Sequence, residues 1–312
     1  MYSENPINDV RLLVKAFLSN QLARFAPSTY VKLTHQTGRG KDEGGTSEVA
    51  DYFLNCVKEY FEKLDVAPAE YESYLQGKKI LEYGPGDILG VALLLYAHGA
   101  AVVHCVDRFP LSRVSEKSLA VYWQILNSLD EKKRARAFGA FKEFGKPESG
   151  FNPNAIAYAV TPDGLSKKKR YYDLIISRAV LEHVNDLEKT IQDVSDALTT
   201  TGLSIHQVDL KSHGLDRYKL FDFLTWPDTL FQLMYSHKGF PNRWRVNKYK
   251  ELVGKSGLRV RYLVPTGKLE INEITAIQPK LAQRFRGISG DELSWLGFWV
   301  LVELPALKIT DP

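Results

Sequence analysis

The chain has 312 residues, 44% of them hydrophobic and 25% charged, with 41 Lys and Arg against 37 Asp and Glu. That length suits one large domain or two ordinary ones, and the balance excludes disordered, collagenous and disulfide-scaffold chains. A net charge of +4 is too small for a dedicated nucleic-acid binder, and the two cysteines, Cys56 and Cys105, are too few for a disulfide framework and too far apart for a CxxC pair.

The opening MYSENPIND carries acids and no apolar run, which predicts no signal peptide. Residues 10–25 and 47–64 have helical apolar spacing, the second with Ser47 as N-cap. A Gly-rich polar loop, 30–46, is expected between them. From Ile88 to Val106 there is no charged side chain, nearly the length of a membrane span. Gly90, His98, Gly99 and His104 interrupt it, so a buried helix followed by a buried strand is expected, with no membrane span and a cytoplasmic chain.

Strands are predicted at 78–83, 101–107, 155–160, 172–177, 203–209, 258–264 and 298–304, with helical segments between several of them. Near-continuous apolar strands alternating with helices predict a mostly parallel sheet covered on both faces. The last two strands lack an obvious crossover helix, so one is expected to run antiparallel. Two segments exceed a minimal α/β unit: 108–154, read as helices at 115–129 and 131–144, and the aromatic-rich 210–257. The division is therefore a helical N-terminal lid over 1–75 and an α/β domain over 76–312 carrying those two insertions. In such sheets ligands bind at the carboxyl ends of the strands, and insertions there form lids and substrate walls.

The most informative string is ILEYGPGDILG, 80–90: a strand ending at Glu82, a turn with Gly84, Pro85 and Gly86, and the start of an apolar helix. Glycines there let main-chain N–H groups approach a ligand, and the helix N-terminus adds partial positive charge. The next strand ends in Asp107, 107 − 90 = 17 residues past the last glycine, where an acid accepts both hydroxyls of a ribose. A dinucleotide fingerprint wants a small third residue, but the register gives Leu89, and Glu82 would face phosphate charge. S-adenosylmethionine has no phosphate, and its ammonium and sulfonium tolerate an acid.

With these features the chain resembles the class I S-adenosylmethionine-dependent methyltransferases. Glu82-x-Gly84-x-Gly86 matches their first motif, Asp107 their ribose-binding acid, and the segment from Ser177 through Leu-Glu-His-Val their stretch after the fourth strand. The match is good over roughly 78–209 and weaker in the flanks. The resemblance implies a Rossmann-like, seven-stranded sheet with a reversed last strand and S-adenosyl-L-methionine as cofactor. It also implies an adenine contact after the third strand, at Thr161 or Asp163, and a helical N-terminal lid. From that lid Gln36, Thr37 or Arg39 would reach the methionine carboxylate. A plain tight turn at the glycines, a strand-end acid at Asp107 and a flexible linker over 34–46 are the competing structural readings.

Methyl transfer is an in-line displacement, and a hydroxyl acceptor must also lose a proton. Histidine is the usual base at neutral pH. His183 is expected to line the site. His206, inside the fifth strand, is expected in the core. His213 follows the fifth strand, with Asp209 as its orienting acid, and is the base candidate. Read instead as metal ligands, Asp209 and His213 make only an incomplete site, so no metal is assigned. Asn242, Arg243 and Arg245, beside Trp244, are candidates for binding a polar or anionic acceptor, with an exposed basic edge as the alternative. The Asp…His and Asn-Arg pattern is similar to that of bacterial polysaccharide and glycolipid methyltransferases, which suggests polysaccharide biosynthesis by analogy alone. The basic runs 131–138 and 166–172 read as solvated faces, not nucleic-acid contacts.

The expected activity is methyl transfer to a small-molecule or saccharide acceptor, at a hydroxyl. An RNA or protein methyltransferase and a non-catalytic cofactor-binding module are the rival readings. A homodimer is compatible with all of them.

Overall fold

The computed structural model describes residues 6–34 and 44–305. Seven strands form one sheet: β1 (Lys79–Tyr83), β2 (Val102–Asp107), β3 (Ile156–Val160), β4 (Tyr172–Arg178), β5 (Leu198–Asp209), β6 (Arg259–Lys268) and β7 (Trp295–Glu303), in the order β3-β2-β1-β4-β5-β7-β6. β2 is parallel to β1 and β3, and β1 to β4. The reversed strand is β7: Leu210, just past β5, bonds Leu296, and Leu269, just past β6, bonds Ser294. The ends of both neighbours thus meet its beginning. The mixed sheet expected from the strand pattern is the one found.

β5 starts five residues before its expected place. β-branched Thr199, Thr200 and Thr201 favour extended backbone, and the strand begins where the preceding helix stops.

The helices are α1 (Pro6–Phe25), α2 (Pro27–Thr34), α3 (Thr46–Lys63), α4 (Tyr71–Leu75), α5 (Gly90–Ala97), α6 (Glu116–Ser128), α7 (Glu131–Phe138), α8 (Leu187–Ala197), α9 (Asp228–Tyr235), α10 (Val246–Lys255), α11 (Ile271–Ile277) and α12 (Gly290–Ser294). Three differ from the sequence reading. Residues 30–34, expected in the loop, belong to α2. Ser47 lies inside α3, whose N-cap is Gly45; the free Gly45 N–H is taken by the Glu48 carboxylate at 3.0 Å. α7 stops before Gly139 instead of running to 144. No helix among the described residues is long and apolar enough to cross a membrane.

The chain divides into two compact units. The glycine-turn unit comprises, of the described residues, 44–177, 193–205 and 303–305. Its α3 buries Val49, Phe53, Cys56, Val57, Tyr60 and Phe61, one face at helical spacing. α3 packs on α5 closely enough that a Cβ on Gly90 would lie 2.3 Å from the Phe53 ring. Ser115 caps α6 by accepting the Ser118 N–H, and Asp130 caps α7 by accepting that of Lys133. Cys56 and Cys105 are buried thiols.

The histidine unit comprises 6–34, 178–192 and 206–302 of the described residues. Here α1 packs on α9 of the 210–257 segment. The buried Asn20 amide donates to the Leu233 carbonyl at 2.9 Å and accepts from the His237 N–H at 2.8 Å. A second core gathers Phe221, Phe223, Leu224, Ile274, Ile277 and Phe285. His206 is buried in β5, and burial pushes its pKa down to about 3, which keeps it neutral as the core reading expects.

Candidate functional site

β1 delivers Glu82 into the interior and ends in a turn where Gly84 (φ +61°) and Gly86 (φ +79°) both take left-handed backbone, which glycine adopts without steric cost. Pro85 is buried between them. The Gly84 N–H donates to the Val106 carbonyl at 2.8 Å, tying the turn to the end of β2. The next residue is Asp107. Its buried carboxylate accepts from the Arg108 and Phe109 N–H groups at 2.7 and 3.1 Å and from the Gly86 N–H. The glycine turn and the spaced acid are thus in direct contact.

Burial pushes Asp107 up to about 6 and Glu82 up to about 8; the neighbouring Asp107 charge adds to the second shift. The Cys105 thiol, opposite Glu82 in the β1–β2 register, donates to its Oε2 at 3.6 Å. Two buried acids side by side favour a cationic ligand, whose charge would restore their ionisation. Because these folded-state values lie above the unfolded ones, the acids favour folding fully only at low pH. Glu82's contribution is lost as pH rises from about 4.5 to about 8. The ligand-free protein will therefore melt at a lower temperature at pH 8 than at pH 5, and Glu82→Gln will flatten that fall. An unchanged slope in the variant would contradict the burial of an ionisable Glu82.

Of the two adenine-contact candidates, Thr161 is placed beside Asp107: its N–H donates to the Asp107 carbonyl at 2.9 Å. Asp163 instead faces solvent, paired with Lys167 at 2.9 Å. Ser177 is fully buried at the end of β4, in register with Tyr83. Arg39, Gln36 and Thr37 lie outside the described residues. Tyr158, not singled out from the sequence, braces the loop after Asp107: its hydroxyl donates to the Phe109 carbonyl at 2.9 Å and accepts from the Leu111 N–H at 3.2 Å.

The histidine unit gathers a second set of groups. After β4, Ala179 takes a left-handed φ of +52°, a strained conformation for a non-glycine residue. Its N–H bonds the Gln207 carbonyl of β5. Glu182 follows, 2% exposed, and the sequence reading passed it over. Its Oε1 accepts the Asp209 N–H at 3.3 Å and lies 3.8 Å from His183 Nε2 and 4.0 Å from His213 Nε2. Among the described residues its Oε2 has no hydrogen-bond partner. Burial, with the Asp209 charge adding to it, holds this carboxyl well above the usual carboxylate range.

The two imidazoles meet edge to face, centroids 4.7 Å apart. His213 stands at φ +50°, and burial lowers its pKa, so its neutral form dominates at pH 7. The Asp209 carboxylate lies 4.0 Å from His213 Nε2, which is ion-pair distance and not a hydrogen bond. It accepts the Lys211 N–H at 2.9 Å instead.

Asn242, Arg243 and Arg245 are turned inward. The Asn242 N–H donates to the Glu182 carbonyl at 2.6 Å, and its amide donates to the carbonyls of Leu181 and Val184 at 2.8 and 3.3 Å. Arg245, 1% exposed, donates to the carbonyls of Leu210 at 2.7 Å, Leu293 at 2.9 Å and Trp295. Arg243, 3% exposed, pairs with Asp228 and donates to the carbonyls of Phe223 and Trp226. The exposed basic edge is not found: both guanidinium groups are buried and donate to main-chain carbonyls.

Several side chains of the basic runs also make internal contacts. Lys132 and Lys133 pair with Glu72, Arg136 donates to the Tyr96 and Ala100 carbonyls at the end of α5, and Arg170 to those of Ser195 and Leu198.

Residues 57–263, about two thirds of the chain, match the family model described as a methyltransferase domain. No curated protein matches. Among solved structures, an S-adenosylmethionine-dependent methyltransferase from Mesorhizobium loti is 18% identical, with 73% of this chain and 91% of that one covered and a TM-score of 0.42. Phosphoethanolamine N-methyltransferase 2 of Haemonchus contortus, in complex with S-adenosyl-L-methionine, is 16% identical over 74% of this chain and 49% of that one, TM-score 0.38. A TehB-like methyltransferase from Corynebacterium glutamicum is 12% identical over 82% and 99%, TM-score 0.36.

Proposed function

The chain belongs to the class I S-adenosylmethionine-dependent methyltransferases, and from that premise we propose that it methylates a hydroxyl of a small-molecule or saccharide acceptor. The cluster of Glu182, His183, Asp209 and His213 carries this reading, because a hydroxyl acceptor needs a station for its proton and a neutral imidazole supplies one. Glu82, Gly84, Pro85, Gly86, Asp107, Thr161 and Ser177 form the cofactor side, with Asp107 accepting from the ribose hydroxyls and Glu82 facing the cationic methionine end. Arg39 keeps its proposed role toward the methionine carboxylate.

In the reaction the acceptor oxygen attacks the methyl carbon, the new O–C bond forms as the C–S bond breaks, and sulfur keeps the electron pair as S-adenosylhomocysteine. The hydroxyl proton passes to the cluster. Asn242 and Arg245 are positioning residues: they fix the carbonyls flanking Glu182 and Asp209. The 1–75 helices and the 108–154 and 210–257 segments are proposed to shape access to the acceptor.

The internal pairing of the basic runs argues against polyanion docking. Labelled S-adenosylmethionine incubated with fractionated cell extract will transfer its methyl to the low-molecular-weight or glycan fraction, with weak dependence on salt. Label in RNA or protein, lost steeply as salt is added, would overturn the acceptor assignment.

A further inference from the structure

We propose that Glu182, His183 and His213 form a binding site for a divalent transition-metal ion, with Asp209 as an added carboxylate donor. The proposal rests on the hydroxyl-acceptor reading for its purpose, and on independent geometry for its existence.

One ligand atom from each of Glu182, His183 and His213 lies within 4.8 Å of the others. A transition ion bonded at about 2.0–2.2 Å spaces its ligands about 3–4 Å apart, so the 3.8 and 4.0 Å separations at Glu182 Oε1 need only a small closure. Asp209 Oδ2, 4.0 Å from His213 Nε2, is the next oxygen available.

The chemistry of the donors is that of a metal centre. Two imidazoles and one carboxylate suit zinc, iron(II), cobalt or manganese, and leave positions open for substrate. The observation that points to a ligand is Glu182 itself. It is 2% exposed, and Oε2 has no hydrogen-bond partner among the described residues. A buried, half-satisfied carboxylate is costly unless a cation or donor completes it.

The framework is already braced. Asn242 holds the three carbonyls around Glu182 and His183, and Arg245 holds the Leu210 carbonyl next to Asp209. The His183 and His213 rings brace each other edge to face, centroids 4.7 Å apart.

A metal ion at this place would take the acceptor hydroxyl into its open position and acidify it. His213's lone pair would then be bonded to the ion, and the proton would pass to the Asp209 oxygen not bonded to it, or to solvent. An acceptor with a second oxygen beside the reacting hydroxyl, such as a vicinal diol, would chelate the ion.

Cobalt(II) titrated into the full chain after dialysis against chelator is the test. One equivalent will bind with visible d–d absorption, and the cobalt protein will show two exchangeable, hyperfine-shifted imidazole N–H resonances. Glu182→Gln and His213→Ala, with unchanged circular dichroism, will each weaken cobalt binding at least about 100-fold. No saturable absorption, or fewer than two shifted imidazole resonances in the native chain, would overturn the site, and that readout needs no variant to fold. If cobalt fails to bind while hydroxyl methylation still depends on His213, the ion is wrong and the imidazole-base reading stands. If cobalt binds and no hydroxyl is methylated, the reverse holds.

Discussion

Replacing His213 by alanine will lower kcat for methyl transfer by about 10²–10⁴-fold and leave S-adenosylhomocysteine affinity unchanged. The split follows from where the residue sits. His213 belongs to the histidine unit, with Glu182, His183 and Asp209, and has no part in the glycine turn. In the proposed reaction its neutral ring would receive the acceptor proton or hold an ion that acidifies it. Initial-rate kinetics beside a calorimetric titration of each protein makes the check. Near-native turnover with the true acceptor would remove His213 from the chemistry.

Asp107→Ala is expected to act on the other half of the reaction. It removes the acceptor for two ribose hydroxyls, and each hydrogen bond to a charged group is worth about 1.5–3 kcal/mol, so cofactor affinity should fall at least about 100-fold. The same change releases the N–H groups of Gly86, Arg108 and Phe109, which loosens the turn itself. Asp107→Asn keeps an acceptor for those N–H groups and should lose less. Asp163→Ala, at an exposed side chain paired with Lys167, should change nothing. Equal affinities for the native protein and Asp107→Ala would refute the ribose assignment.

The geometry of the proposed cofactor half was readable in the sequence because its determinants are local. A strand, two glycines that need positive φ, and an acid at the end of the next strand occur at fixed spacing, and parallel pairing of β1 with β2 brings them together. Helix ends were read less well, since Gly45 takes the cap position expected of Ser47, its N–H donating to the Glu48 carboxylate three residues on.

The histidine half depends on distant contacts. Glu182 looks like one acid in an apolar string, and its place near His213 follows from the strained Ala179 turn and the pairing of β4 with β5. Arg243 and Arg245 advertise charge in the sequence. Which carbonyls receive it depends on segments as far along the chain as Trp295, at the start of β7. Spacing alone does not show that Thr161 bonds the end of β2 while Asp163 pairs with Lys167.

A calorimetric titration of S-adenosylhomocysteine into the folded native chain is the most direct test that the glycine turn and Asp107 form a cofactor site. Saturable binding of one molecule per chain, weakened at least about 100-fold in Asp107→Ala, is the predicted result. No detectable binding to the native protein would contradict it.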